Sequence, residues 1–218
     1  MKLEDTTIYP LIRDHPELCL LHPFHKNQYI TRVNWNIGDV WYLVSGRVKV
    51  EATSPKGKRL LVDLIDEDNY VGNLSNYYGQ NFYCDCIAMM NCSLLHIPMD
   101  TFQTLMKTMN FSHHFYMKTN ARLYNMYKRE LMRAMFTQRQ QFAFYLLEKN
   151  SGGICRIDSI YFIGEYLKVS RRNLYNLLTK FEQVGMVMRL ESGDIQLLDA
   201  TALQEIAKPV VDFYYNRI

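Results

Sequence analysis

Arg171, Arg172, Asn173, Tyr175, Asn176 and Lys180 crowd one short stretch of the chain. A guanidinium fork matches the edge of guanine and a carboxamide matches that of adenine, so such a set can read bases in a major groove. Leu174, Leu177, Leu178 and Phe181 recur between them at helical spacing, which leaves the polar side chains largely on the opposite face. Ser170 stands in front as an N-cap, its hydroxyl able to accept an orphan backbone N–H. Upstream, Phe162 to Leu167 reads as a short helix joined through the tight junction Lys168-Val169-Ser170. Downstream of Gly185, Met186–Leu190 and Asp194–Leu198 flank the turn Glu191-Ser192-Gly193 as a hairpin. An amphipathic helix with a solvated polar face is the commoner object. The basic pair in the first turn and the hairpin that follows favour a winged helix-turn-helix. The residues expected to touch DNA are therefore Ser170, Arg171, Arg172, Asn173, Tyr175, Asn176 and Lys180.

These elements need a frame. Phe111 to Met135 contains neither Pro nor Gly and reads as one long helix. Met117, Ala121, Tyr124, Leu131 and Met135 form a stripe along it, interrupted by Lys128, with Leu123, Tyr127 and Ala134 beside it. A coiled-coil-like seam needs a partner, while the plainer alternative is a helix packed only on its own domain. Lys118, Arg122, Lys128, Arg129 and Arg133 are expected on its outer faces, against the single acid Glu130. Thr137 to Lys149 is a further helix, ended by Ser151-Gly152-Gly153 and followed by a short strand at Ile154–Ile157. Asp158 or Ser159 is the expected cap of the next helix, and Asp199 that of a last helix interrupted at Pro209.

The N-terminal half has another rhythm. A short helical lead-in broken by Pro10 and Pro16 gives way to strands separated by turn signals. Val40 to Glu51 is rich in β-branched and aromatic residues, with Gly46 as a bulge or bend, and Ser54–Gly57 turns it back into Lys58–Ile65. Cys84–Ala88 and Ser93–Ile97 are two more strands. Short strands spaced this evenly suggest a barrel or jelly roll.

With 218 residues and a formal net charge of +3, the chain can bury a real core and carries no polybasic tail. No apolar run reaches membrane-spanning length, and acids stand near Met1 where a signal peptide needs apolar residues. Five cysteines are an odd number for a secreted disulfide framework, so a cytoplasmic location is expected. Neither a phosphate-cradling Gly-rich loop nor a nucleophile elbow or zinc-protease motif occurs, and no enzyme is expected. Cys84, Cys86 and Cys92 lack zinc-finger or ferredoxin spacing and read as core thiols, so no metal and no cofactor are expected. His113 and His114 are adjacent on a helix and face different directions.

Gly38 to Val50, the Gly57 turn and Tyr70-Val71-Gly72 together resemble the cyclic-nucleotide-binding-type barrel of the Crp/Fnr transcriptional regulators. Pro98–Phe102 is similar to the stretch that leaves that barrel, and Val169–Leu174 and Leu197–Leu203 to the same family's DNA-binding end. The chain is identified as a divergent member, in the direction of the YeiL- and PrfA-like proteins. The resemblance implies an α+β fold with three parts. Residues 1–110 would be the β-barrel sensor (jelly roll), 111–136 the dimerisation helix and 137–218 the winged helix-turn-helix DNA-binding domain. It also implies a homodimer on double-stranded DNA with a palindromic operator, and RNA polymerase as a candidate partner. Ser170 and Arg171 fall where the family makes phosphate and guanine contacts, and Arg172 where cyclic-AMP-responsive members carry a Glu.

One departure concerns the effector. Cyclic-nucleotide binders follow the barrel's Phe-Gly with a ribose-holding Glu and, later, a phosphate-gripping Arg. Here Asn73 follows Gly72, and Asn81–Ile87 contains no Arg. A buried phosphate needs such a charged fork, so cyclic AMP is not the expected effector. Tyr70, Asn73, Tyr77, Phe82 and Tyr83 are the candidate lining for another small molecule. The competing reading is a ligand- or redox-sensing signalling module that acts through protein contacts rather than DNA.

Overall fold

The structure is a computed structural model, and it describes residues 1–33, 40–72, 84–157 and 160–215. The chain divides into two compact units, Met1–Tyr124 and Asn125–Ile218. The division falls inside one long helix, Met109–Met135.

In the first unit, 3-10 turns at Leu3–Asp5 and Pro16–Leu18 flank the short helix α1 (Tyr9–Ile12). The lead-in is broken into short pieces, as expected, and Pro10 and Pro16 stand at the start of the second and third of them. Each sits in a first turn, where its missing N–H has no intrahelical partner to lose. Among the described residues eight strands follow: β1 (Leu21–Phe24), β2 (Tyr29–Thr31), β3 (Val40–Ser45), β4 (Arg47–Thr53), β5 (Arg59–Asp66), β6 (Asn69–Val71), β7 (Cys84–Ala88) and β8 (Cys92–Ile97). They form two antiparallel four-stranded sheets, ordered β1-β8-β3-β6 and β2-β7-β4-β5.

The segment expected as one bent strand is two, because Gly46 passes the chain from one sheet to the other. Its φ is +105°, and a Cβ there would lie 2.6 Å from Cys92 Sγ and 2.9 Å from the Asn91 carbonyl. Only glycine fits that corner. The β4–β5 hairpin turns at Ser54–Gly57, with Ser54 N donating to the Lys58 carbonyl at 2.8 Å.

Alternation along the strands makes two cores. Leu43, Val48, Val50, Ile65, Val71, Cys86, Ala88 and Leu94, drawn from both sheets, fill the barrel. Val40, Tyr42, Val44, Tyr70, Leu95 and Ile97 pack instead with the lead-in residues Ile8, Ile12 and Leu18. Phe102 and Leu105 of α2 (Met99–Leu105) join that second cluster, with Phe111 and Phe115 of α3 (Met109–Met135).

In the second unit, Thr137 caps α4 (Gln138–Glu148), and its Oγ1 accepts from Gln140 N at 3.3 Å. Then come β9 (Asn150–Ser151), β10 (Ile154–Cys155), α5 (Ile160–Leu167), α6 (Arg171–Gln183), β11 (Val187–Arg189), β12 (Ile195–Leu197) and α7 (Ala200–Tyr214). The strands make one sheet, ordered β11-β12-β10-β9. Asp199 caps α7 through Ala202 N at 2.9 Å, as its sequence predicts. The expected interruption at Pro209 does not occur. Leu203, Ala207 and Val210 are fully buried along α7, and that packing outweighs the hydrogen bond Pro209 cannot make. The expected caps Asp158 and Ser159 lie outside the described residues.

Candidate nucleic-acid interface

Two short helices and one left-handed residue set the presentation of the polar stretch. Between α5 and α6, Lys168 adopts φ +53°, and Val169 N donates to the Gly164 carbonyl at 2.9 Å. The turn closes so tightly that a Cβ on Gly164 would sit 2.9 Å from the Val169 carbonyl oxygen. Ser170 Oγ accepts from Asn173 N at 3.2 Å and starts α6. Leu174, Leu178 and Phe181 are buried on one side, with Leu177 partly so. Arg171, Arg172, Asn173, Tyr175, Asn176 and Lys180 are all exposed on the other. The fold thus brings together the whole predicted reading set, with Ser170 acting locally as the cap.

Three contacts around this helix have no sequence motif. Arg189 on β11 donates from Nε and Nη2 to the two carboxylate oxygens of Glu182, at 2.8 and 2.6 Å, tying the hairpin to α6. That pairing holds the Glu182 carboxyl below its ordinary range. The Arg171 guanidinium lies 4.4 Å over the ring of Tyr161 on α5. Glu130 of α3 accepts from Lys168 Nζ at 2.6 Å and pairs with Arg133, while Arg133 also donates to the Tyr166 carbonyl at the end of α5. Partners this far apart in the chain leave no spacing to read.

On α3 the predicted stripe is open. Met117, Tyr124 and Met135 are 58%, 56% and 60% exposed, Ala121 is exposed and Leu131 is half-buried. Leu123 and Tyr127, beside them, are exposed as well. The expectation that every basic residue faces outward needs correction. Arg122 Nε donates to the buried Asp63 at 2.9 Å and its Nη1 to the Tyr70 carbonyl at 2.7 Å. Lys118 Nζ reaches Asp68 at 2.5 Å, and Lys128 pairs with the Tyr214 carbonyl. Buried or half-buried acceptors draw these long side chains inward, their stems covering apolar surface on the way.

Residues 21–109 match the cyclic nucleotide-binding domain. No curated protein matches the chain in sequence. Among solved structures, a CRP-family transcriptional regulator from Thermus thermophilus superposes with a TM-score of 0.71 at 16% identity, over 86% of this chain and 96% of that one. A second regulator from that organism, of the CRP/FNR family, gives 0.69 at 17% identity over 87% and 98%. The chain has the CRP/FNR regulator fold. The c-di-GMP responsive global regulator CLP of Xanthomonas campestris shares it, with a TM-score of 0.71 at 15% identity over 86% and 98%.

Within this CRP/FNR fold, the proposed effector lining is described only at Tyr70. Asn73, Tyr77, Phe82 and Tyr83 lie outside the described residues. Tyr70 is 1% exposed and packs edge-on against Phe115, Phe111 and Tyr42, so its ring belongs to the core that α3 covers. Its hydroxyl meets His114 Nδ1 at 2.9 Å, and His114 Nε2 meets Thr7 Oγ1 at 2.8 Å. Asp68 accepts from Tyr42, Thr7 and Lys118, which makes one polar cluster of lead-in, barrel and helix. Burial pushes His114 down to about 4, assisted by Lys118, and the imidazole is neutral there at pH 7. His113 points elsewhere and is exposed, so the two adjacent imidazoles share no site.

The cysteines are free thiols, and burial raises Cys84 to about 11 and lifts Cys86 and Cys92 as well. Thiols in that range carry little nucleophilic thiolate. Among the described residues, no three His, Cys, Asp or Glu side chains come together to hold a metal ion. No described helix is long and apolar enough to cross a membrane.

Proposed function

We propose that this chain is a homodimeric, sequence-specific DNA-binding transcriptional regulator of the Crp/Fnr type, acting in the cytoplasm. The observation that carries the reading is α6. Its apolar side is locked into the core, while two arginines, two asparagines, a tyrosine and a lysine stand exposed along the other. A solvated helix needs charge for solubility, but it has no need of forked and amide side chains at its N-terminal end beside a wing. The exposed stripe Met117, Ala121, Tyr124, Leu131 and Met135 supports a second copy as the partner of α3. Two copies would place two recognition helices on a two-fold-related operator, with half-sites about 34 Å apart. RNA polymerase is then the natural further partner.

Cyclic AMP is not its effector in this reading. Asn73 replaces the ribose-binding Glu, and Arg122, reaching the barrel from α3, already pairs with Asp63. The test is selection of bound duplexes from a random pool, with and without cell extract, and calorimetry with cyclic AMP. A two-fold-related motif and no heat of cyclic AMP binding are expected. Failure to retain any duplex at low salt would favour a module working through protein contacts.

A further inference from the structure

We propose that Tyr161 is a positioning residue for DNA recognition: its ring holds the Arg171 guanidinium in the orientation from which Arg171 contacts the duplex. The inference rests on the DNA-binding reading of α6 and adds a residue outside that helix. Tyr161 lies in the first turn of α5 and is 43% exposed. It is not among the side chains that make up the core of its unit. Among the described residues its one ring contact is Arg171, whose guanidinium carbon stands 4.4 Å from the ring centroid. That is well inside the distance at which an aromatic face attracts a cation.

The contact separates two neighbouring arginines. Arg172 is exposed and has no partner among the described residues, so it is free to sample its rotamers until DNA arrives. Arg171 is restrained beforehand. A guanidinium held over an aromatic face still has N–H groups directed away from the ring, so the cation–π contact and a hydrogen bond to a base or phosphate can coexist. Part of the ordering that binding requires has then already taken place, and the restraint appears as affinity. The tyrosine hydroxyl is not needed for this, and an aromatic face is.

The experiment is fluorescence-anisotropy titration of the full-length protein on its selected duplex and on random duplex. Wild type, Tyr161→Ala, Tyr161→Phe, Arg171→Ala and the Tyr161→Ala/Arg171→Ala double variant are compared. Tyr161→Ala should weaken the selected site roughly two- to fivefold per half-site, the strength of an exposed cation–π contact, hence about four- to twenty-fivefold for a dimer. Tyr161→Phe should stay within about twofold of wild type, and Tyr161→Ala should add nothing once Arg171 is gone. Base discrimination should fall at the position Arg171 contacts and nowhere else. Far-UV circular dichroism melts identify any loss due to unfolding, for which Tyr161→Phe is the control that keeps the ring. An equal loss for Phe and Ala would make the hydroxyl the active group and overturn the proposal. So would an unchanged Tyr161→Ala, or a Tyr161→Ala effect that persists without Arg171. Wild-type protein that binds no duplex would instead overturn the DNA-binding reading, and this inference with it.

Discussion

Glu182 and Arg189 make a two-pronged ion pair between α6 and β11, and Arg189 N also donates to Glu182 Oε1 at 3.1 Å. The pair lies at the surface, so its net worth is small despite good geometry, about 0.5–1 kcal/mol. Arg189→Met should lower the stability of the second unit by that amount in urea melts. It should also free the wing, weakening selected and random DNA by the same factor, since no base reader is touched. A loss confined to the selected duplex would contradict this role.

The helix-turn-helix junction is the more sensitive point. Gly164→Ala brings a methyl carbon to 2.9 Å from the Val169 carbonyl oxygen, a backbone atom that cannot swing aside. Overpacking of this kind costs about 1–3 kcal/mol. The variant should unfold at lower denaturant with an unchanged m-value. A melt superimposable on wild type would mean that the turn has room the structure does not show.

Low pH should loosen the barrel's contact with the first half of α3. His114 has its folded pKa depressed to about 4 from 6.5, first by burial and then by Lys118. Unfolding therefore takes up a proton that the folded state refuses. The stabilisation is full above the unfolded value and is lost as pH falls toward the folded one. Asp68, held low by Lys118 and Tyr42 against its own burial, adds a loss in the same direction at more acid pH. Thermal melts should fall between pH 6.5 and about 4, and His114→Gln should flatten that slope; an identical pH profile in the variant would remove His114 from the explanation.

Tyr124→Glu with Leu131→Glu would put charges into the open stripe of α3, where the side chains are exposed and half-buried in the single chain. Sedimentation should show a monomer with a wild-type far-UV spectrum. A surviving dimer would place the interface on another surface.

Much of this was legible because local chemistry and tertiary packing agree. Cys84–Ala88 is a strand over the residues expected, and Ser170 and Asp199 cap the helices their positions announce. Pro209 misled because packing overruled propensity: α7 runs through it on the strength of Leu203, Ala207 and Val210. Long-range pairs were out of reach. Nothing in the spacing of Arg122 and Asp63, or of Glu130 and Lys168, says that the chain brings them together. The outward sweep of basic residues on α3 failed for that reason, and the place of Tyr161 beside Arg171 was invisible for the same one. Four of the five residues expected around an effector lie outside the described residues.

The central claim is that α6 reads bases, and Arg172 tests it most directly. Dissociation constants of wild type and Arg172→Ala should be measured on the selected duplex and on random duplex across a salt series. If Arg172 donates two hydrogen bonds to guanine, the variant loses roughly 1–3 kcal/mol on the selected site and discrimination flattens at one position per half-site. Binding to random duplex is then nearly unchanged. Lys180→Ala, as a phosphate contact, weakens both duplexes alike and lowers the salt slope by roughly one. An Arg172→Ala protein that loses the same factor on selected and random DNA would contradict the account.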